Sequence, residues 1–333
     1  MRRTHLSLLR RHQRRGMSLI ELMISIAIGM ILVVAILSAY VGTSGASKVS
    51  EAQSRMNEDA QAALTILSQQ IRMAGNNPKQ LNYDTATPSN PVFGSTSFAI
   101  RGCDGTFSNV DAAADIQTLA CAAGGADSIA VSYEADPYNT IKTTGGVATD
   151  CLGVGLPVVG TAPAVFVNKW NGIVGPGSAS VPTSVTYTVA DNRFFVATSG
   201  VVTAPSLYCK GNGTGSTKQP LVENIEDMQF VYGTSPATTT TMSVAGYLNA
   251  GEVLSDANLA LLPDDQTRWG KVMTVRICVL VRSEAPIAPD ADSAKYMSCP
   301  TSSTSVGTLT AAPDLRLRRA YSTTVVLRNR VAP

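Results

Sequence analysis

The sequence predicts an α+β protein, in which one long N-terminal helix, transmembrane over its first half, packs on an antiparallel β-rich globular domain with extended loops. Three observations predict it. Residues 22–41 are twenty in a row without a charge. Residues 51–74 carry apolar side chains at spacings of three and four, the period of a helix face. From Asn76 onward Gly, Ser, Thr, Pro and β-branched residues dominate, in short runs that alternate apolar and polar.

The first element is a basic leader, residues 1–16, with Arg2, Arg3, Arg10, Arg11, Arg14 and Arg15 and no acid. Behind it stand Gly16, Met17, Ser18, Leu19, Ile20, Glu21 and the apolar run. At about 1.5 Å of rise per residue that run makes about 30 Å of helix, the thickness of a bilayer's hydrocarbon core. Arginines ahead of it place the N-terminus in the cytoplasm and the remaining chain across the membrane. Glu21 sits one step before the run, where a carboxylate costs on the order of a few kcal/mol unless something pairs with it. Cutting the chain after Gly16 would supply a partner, the new α-amino group of Met17, one helical turn from Glu21. In a bundle of such helices one subunit's Glu21 would neutralise a neighbour's N-terminus. A secretory signal has an apolar region of only about 7–15 residues and a small-residue cleavage site after it. A lipoprotein signal needs a Cys close behind the run, and none is there. A plain single-pass anchor explains the length and the arginines but leaves Glu21 without a reason.

This stretch resembles the class III signal of type IV pilins and type II secretion pseudopilins, in which a basic leader, a Gly and a hydrophobic residue precede Glu as the fifth residue of the mature chain. The resemblance implies that prepilin peptidase cuts between Gly16 and Met17 and N-methylates Met17, and that Glu21 serves docking in assembly. One departure is that the family most often has Phe where this chain has Met17.

Helical character continues past the apolar run, because no Pro occurs from Met17 until Pro78. Met56, Ala60, Ala63, Leu64, Leu67, Ile71 and Ala74 form one stripe; Glu51, Arg55, Glu58, Asp59 and Gln69 occupy the opposite face. Gly75, Asn76, Asn77 and Pro78 are a stop signal. The expectation is a helix over 17–75, roughly 85–90 Å long, with 22–41 spanning the membrane and a bend near Gly42 and Gly45. Residues 76–333 would form the periplasmic or extracellular domain.

Within that domain Ile129, Val131 and Tyr133 alternate as one strand face. Val185, Tyr187 and Val189 run towards Asp191-Asn192, beyond which residues 194–198 continue, which predicts a hairpin. Met273, Val275, Ile277, Val279 and Val281 give an unbroken apolar face, with Arg276, Cys278 and Arg282 on the other. Tyr321, Thr323, Val325 and Leu327 give a further strand, and residues 221–228 read as a short helix or turn feeding a strand. Residues 211–216 and 237–241 are low-complexity and expected to be exposed.

Composition narrows the chemistry. Both histidines, His5 and His12, lie in the leader, so the mature chain holds no His for a triad, a zinc site or a general base. Without the six leader arginines the formal +2 becomes about −4, which does not suit a nucleic-acid binder. The acidic pairs Asp264-Asp265 and Asp290/Asp292 lack the rest of an EF-hand pattern and read as solvated turns, so no metal or cofactor is expected. Arg316, Arg318, Arg319, Arg328 and Arg330 read as a solvated strand face paired with nearby acids. The six cysteines, Cys103, Cys121, Cys151, Cys209, Cys278 and Cys299, contain no Cys-x-x-Cys pair and follow the membrane helix, in an oxidising compartment. Fifteen pairings into three disulfides are possible; because short loops close most readily, the expected one is Cys103–Cys121, Cys151–Cys209 and Cys278–Cys299.

Segments 72–75, 126–131, 221–230, 275–282 and 318–325 look like those of PilW-type minor pilins, which implies a low-abundance subunit of the type IV pilus. The implied partners are other minor pilins, the major pilin, prepilin peptidase, a tip adhesin and, before assembly, inner-membrane lipid. Its implied roles are priming, assembly and tip structure, in pilus-dependent motility and adhesion. Two other classes stand beside this one. A minor pseudopilin of a type II secretion system shares the layout, and a membrane-tethered periplasmic enzyme would need a constellation of Ser, Asp and Lys that the sequence does not display.

Overall fold

The computed structural model describes residues 16–76, 98–158, 160–163, 166–168, 172–174, 184–200, 203–238, 243–302 and 304–330. The leader arginines, both histidines, Asn77 and Pro78 lie outside them. The chain divides into two units, Met1–Glu51 and Ala52–Pro333, and one helix, α1 (Leu19–Met73), contributes to both.

In the first unit α1 begins at Leu19, two residues later than its expected start at Met17. The Leu22 N–H donates to the Ser18 carbonyl at 3.1 Å, which makes Ser18 the flanking residue, a position Ser favours. Helical structure runs without interruption through Gly42 and Gly45. The hydroxyls of Ser25, Ser38, Thr43 and Ser47 donate to carbonyls three or four residues back at 2.7–3.0 Å, so these four are satisfied within the helix.

In the second unit α1 buries Met56, Ala60, Ala63, Leu67 and Ile71, the stripe expected from spacing, while Leu64 packs at its margin. The helix ends at Met73; Gly75 takes φ +72° and its N–H donates to the Ser132 carbonyl at 2.9 Å. A positive φ suits Gly at this position because it carries no Cβ.

Fourteen strands are described. β1 (Ile100–Cys103), β2 (Ser128–Ala135), β6 (Ser184–Ala197), β7 (Ser206–Lys210) and β8 (Gln219–Glu223) form an antiparallel sheet in that order, and β3 (Gly160–Pro163) also pairs with β6. β4 (Phe166–Asn168) and β5 (Gly172–Val174) make a small ribbon. A second antiparallel sheet has the order β10 (Gly246–Leu248), β9 (Ile225–Thr234), β11 (Val272–Arg282), β14 (Arg318–Val326). Two short helices, α2 (Ala250–Ser255) and α3 (Asp265–Trp269), lie between β10 and β11, and β12 (Tyr296–Met297) pairs with β13 (Leu309–Thr310). The helix stripe and the inner faces of both sheets share one core with Phe194, Leu207, Phe230, Tyr232, Trp269 and Ile277 at its centre.

Four expectations are corrected. Asp191 and Asn192 do not turn a hairpin; β6 runs through them, because both side chains are buried and bonded inside the domain. β2 is buried along all eight residues, not on one face. Residues 221–228 form no helix: β8 and β9 meet at Asn224, whose φ of +62° turns the chain from the first sheet into the second. Asn tolerates that left-handed conformation better than most residues. In β11 a bulge between Val272 and Thr274 shifts the alternation, so Val272 joins the core in place of Met273.

The loops are also more engaged than composition suggested. Gly211 and Gly213 are buried, with the Gly213 N–H donating to Asp150 Oδ2 at 3.0 Å, and Asn212 bonds through both ends of its amide to the backbone of Asp191 and Val189. Only residues 237–238 of the second low-complexity segment are described.

Candidate functional site

The predicted processing residues lie on a short, non-helical lead into α1. Gly16 and Met17 are exposed, Met17 by 67%, so the peptide bond between them is free of cover from the described chain. Glu21 lies in the first turn of α1, where a carboxylate complements the positive end of the helix dipole. It too is exposed, and its carboxylate has no partner among the described residues. On either side of it Leu19, Met23, Ile31 and Ile36 are 62–79% exposed, and none of the most apolar 18-residue stretch is buried. The helix is long and apolar enough to cross a membrane. This segment therefore has the chemistry of a surface that lipid or other helices must cover, with a single acid at its head.

In the second unit the six cysteines pair as Cys103–Cys121, Cys151–Cys209 and Cys278–Cys299. The first closes the loop between β1 and β2. The second fastens a loop to β7. The third fixes the segment after β12 to the outer face of β11, where Cys278, Leu280 and Cys299 form a small cluster of their own.

Polar contacts that spacing does not announce complete the domain. Gln70 on α1 accepts from Asn192 Nδ2 at 2.8 Å and from the Tyr133 hydroxyl at 3.3 Å; Asn57 accepts from the Tyr321 hydroxyl at 2.6 Å. Burial pushes the Tyr133 hydroxyl up to about 12. Arg193 and Asp191 form a buried ion pair at 3.0 Å, and Arg193 Nη1 donates to the carbonyls of Val110 and Ala113, holding the Cys103–Cys121 loop on the sheet. Desolvation raises the Asp191 pKa above the ordinary carboxylate value although Arg193 opposes it. Asp127 bridges the two sheets, accepting from Phe230 N–H at 2.9 Å and Gly105 N–H at 3.1 Å; burial, with Asp104 and Asp227 nearby, raises its pKa to about 7.

The arginine strip is only partly a solvated face. The Arg318 side chain is 1% exposed and held by Glu226 and Asp314, both at 2.6 Å. Burial works against its charge, but the hydrogen bonds and charges of Asp314 and Glu226 outweigh it and raise its pKa above arginine's ordinary value. Asp264 caps α3 and Asp290 accepts from the Ser293 N–H at 2.7 Å, while Asp265 and Asp292 pair with Arg268 and Lys295. No cluster of three potential metal ligands occurs among the described residues.

Residues 11–37, which span the exposed lead and the acid-headed apolar helix, match the prokaryotic N-terminal methylation motif, and residues 193–329 match the family described as type IV pilus-assembly protein W. Over those two stretches the chain is similar to PilW-type type IV pilins. Its long helix and antiparallel sheets make a mixed α+β arrangement. Among solved structures it is similar to a type IV-like pilin from Thermus thermophilus, at 12% identity over 84% of this chain and 99% of that one, with a TM-score of 0.36. No curated protein matches it.

Proposed function

We propose that this chain is a pilin made as a single-pass inner-membrane precursor with its N-terminus in the cytoplasm and residues 22–41 across the bilayer. Prepilin peptidase cuts it between Gly16 and Met17 and methylates the new amine. It then joins other minor pilins and the major pilin, priming the pilus and standing at or near its tip, in the service of motility and adhesion. Residues 76–333 are the periplasmic, later extracellular, domain, which a tip adhesin would contact.

The observation that carries the reading is Glu21, an exposed acid without a partner among the described residues at the head of an exposed apolar helix, within the matched methylation motif. A carboxylate there is costly in lipid unless a cation meets it. The cation supplied by processing is the amine of Met17 on an adjoining subunit, since each freed terminus lies near its own Glu21 and can meet the next one along the stack.

Mass spectrometry of the chain recovered from sheared pili tests this. The expected N-terminal peptide begins at N-methylated Met17; a peptide retaining Arg14-Arg15-Gly16 overturns it. Glu21→Ala should keep cleavage but reduce recovery in pili at least tenfold, and undiminished recovery overturns the docking role.

A further inference from the structure

The outer face of the second sheet, turned away from the core, is half covered and half bare. Pairing register puts Val231, Arg276 and Thr324 in one row across it and Gln229, Cys278 and Ser322 in the next. The Cys278–Cys299 disulfide anchors the segment that follows over part of this face. Between that segment and the sheet lies a cleft, floored by Val231 and Ala320, with Ser302 and Ser305 on one wall and Arg276 and Ser322 on the other.

Arg276 is the unexplained group. It is exposed, its guanidinium lies over the Tyr247 ring at 4.4 Å, and it makes no ion pair or hydrogen bond among the described residues. The stack fixes the plane of the guanidinium and leaves its N–H edge open. Arg318, on the same face, shows the alternative, since Glu226 and Asp314 engage it at 2.6 Å. Gln229, with its amide N–H donating to Asp227 at 3.0 Å, is held in place at the cleft floor.

We propose that this cleft receives an acidic side chain, Asp or Glu, from another pilin subunit. The carboxylate meets the Arg276 fork, and its methylene stem lies on Val231 in the same row. A planar guanidinium pre-oriented by an aromatic ring suits a carboxylate and gains from one more than a solvated lysine would. The cleft lies in the segment that matches the pilus-assembly family. The assignment rests on the proposed incorporation into a pilus.

The test compares full-length wild type, Arg276→Glu and Arg276→Lys in cells, measuring each chain in sheared pili against its cleaved membrane pool. Arg276→Glu is expected to lower that ratio at least tenfold and Arg276→Lys by a smaller factor, with the pool unchanged. Arg276→Glu incorporated at the wild-type ratio overturns the proposal. Should Arg276→Glu fail to accumulate, Ser322→Phe, which fills the cleft from an exposed strand position, decides by the same ratio: a tenfold fall supports the cleft and no fall overturns it. A photo-cross-linking residue at position 322 should yield an adduct to an Asp- or Glu-containing peptide of another subunit; an adduct to lipid alone overturns the partner. Absence of the wild-type chain from pili is a different failure, which removes the assembly reading and this assignment together.

Discussion

Asn192 on β6, itself fully buried, donates its side-chain amide to Gln70 on α1 at 2.8 Å, across 122 residues of sequence. The same amide reaches the Tyr133 hydroxyl at 3.2 Å, and its Oδ1 accepts from the Cys151 N–H at 3.0 Å. One side chain thus joins helix, sheet and the Cys151–Cys209 loop. Asn192→Leu keeps the approximate volume but strands the Cys151 N–H and takes one hydrogen bond each from Gln70 and Tyr133, and should cost about 2–4 kcal/mol of unfolding free energy. Chemical denaturation of the purified chain checks it; a loss below about 0.5 kcal/mol would mean that water replaces the amide.

Asp127 joins the sheets as Asn192 joins the helix, but its contribution depends on pH. Its folded pKa, about 7, stands above the 3.8 of an ordinary aspartate. The folded state therefore holds the proton more tightly than the unfolded chain, so this contribution is full below about pH 4 and is lost as pH rises to about 7. Asp127→Asn removes that slope. Relative to wild type, the variant should gain about 2–4 kcal/mol between pH 4 and pH 8. Denaturation curves at both pH values give the difference, and parallel behaviour of the two proteins would contradict it.

Gly102 gives Tyr232 its place. A Cβ at position 102 would stand 2.7 Å from Tyr232 Cζ, and Tyr232 is itself wedged edge-on against Trp269 at a centroid distance of 4.8 Å. Gly102→Ala should cost about 1–3 kcal/mol by overpacking. The Tyr232 hydroxyl is buried without a hydrogen-bond partner among the described residues. Tyr232→Phe alone should therefore be neutral or stabilising, and should restore part of the loss in the double variant. A thermal-melt double-mutant cycle measures the coupling; strict additivity would show that the two sites do not press on each other.

Cys278–Cys299 holds a peripheral segment, not the core, since Cys278, Leu280 and Cys299 cluster apart from the helix stripe. Replacing both by Ala should lower stability by about 2–4 kcal/mol through the unfolded state. Amide hydrogen exchange should quicken across residues 296–310 while the middle of β11 stays protected. Faster exchange throughout β11 would show that the bond supports the whole sheet.

The N-terminal helix of this chain was legible because its constraints are local. Covalent order alone puts Gly16, Met17 and Glu21 ahead of residues 22–41, and the period of Met56, Ala60, Ala63, Leu67 and Ile71 marks the buried stripe. Short-loop closure favoured the cysteine pairing found, and the strand over 272–282 follows from alternation. What stayed hidden depends on partners distant in sequence. Asp191-Asn192 has the composition of a turn, and only Gln70, Tyr133, Arg193 and Cys151 arriving from elsewhere make it the middle of a buried strand. Arg318 and Arg276 share one chemistry and one sheet face, yet one is enclosed by two acids and the other is stacked on a ring with its donors open. Sequence fixes which groups a chain carries and their local period; whether a polar group is solvated, paired or left waiting depends on what folding brings within about 3 Å of it.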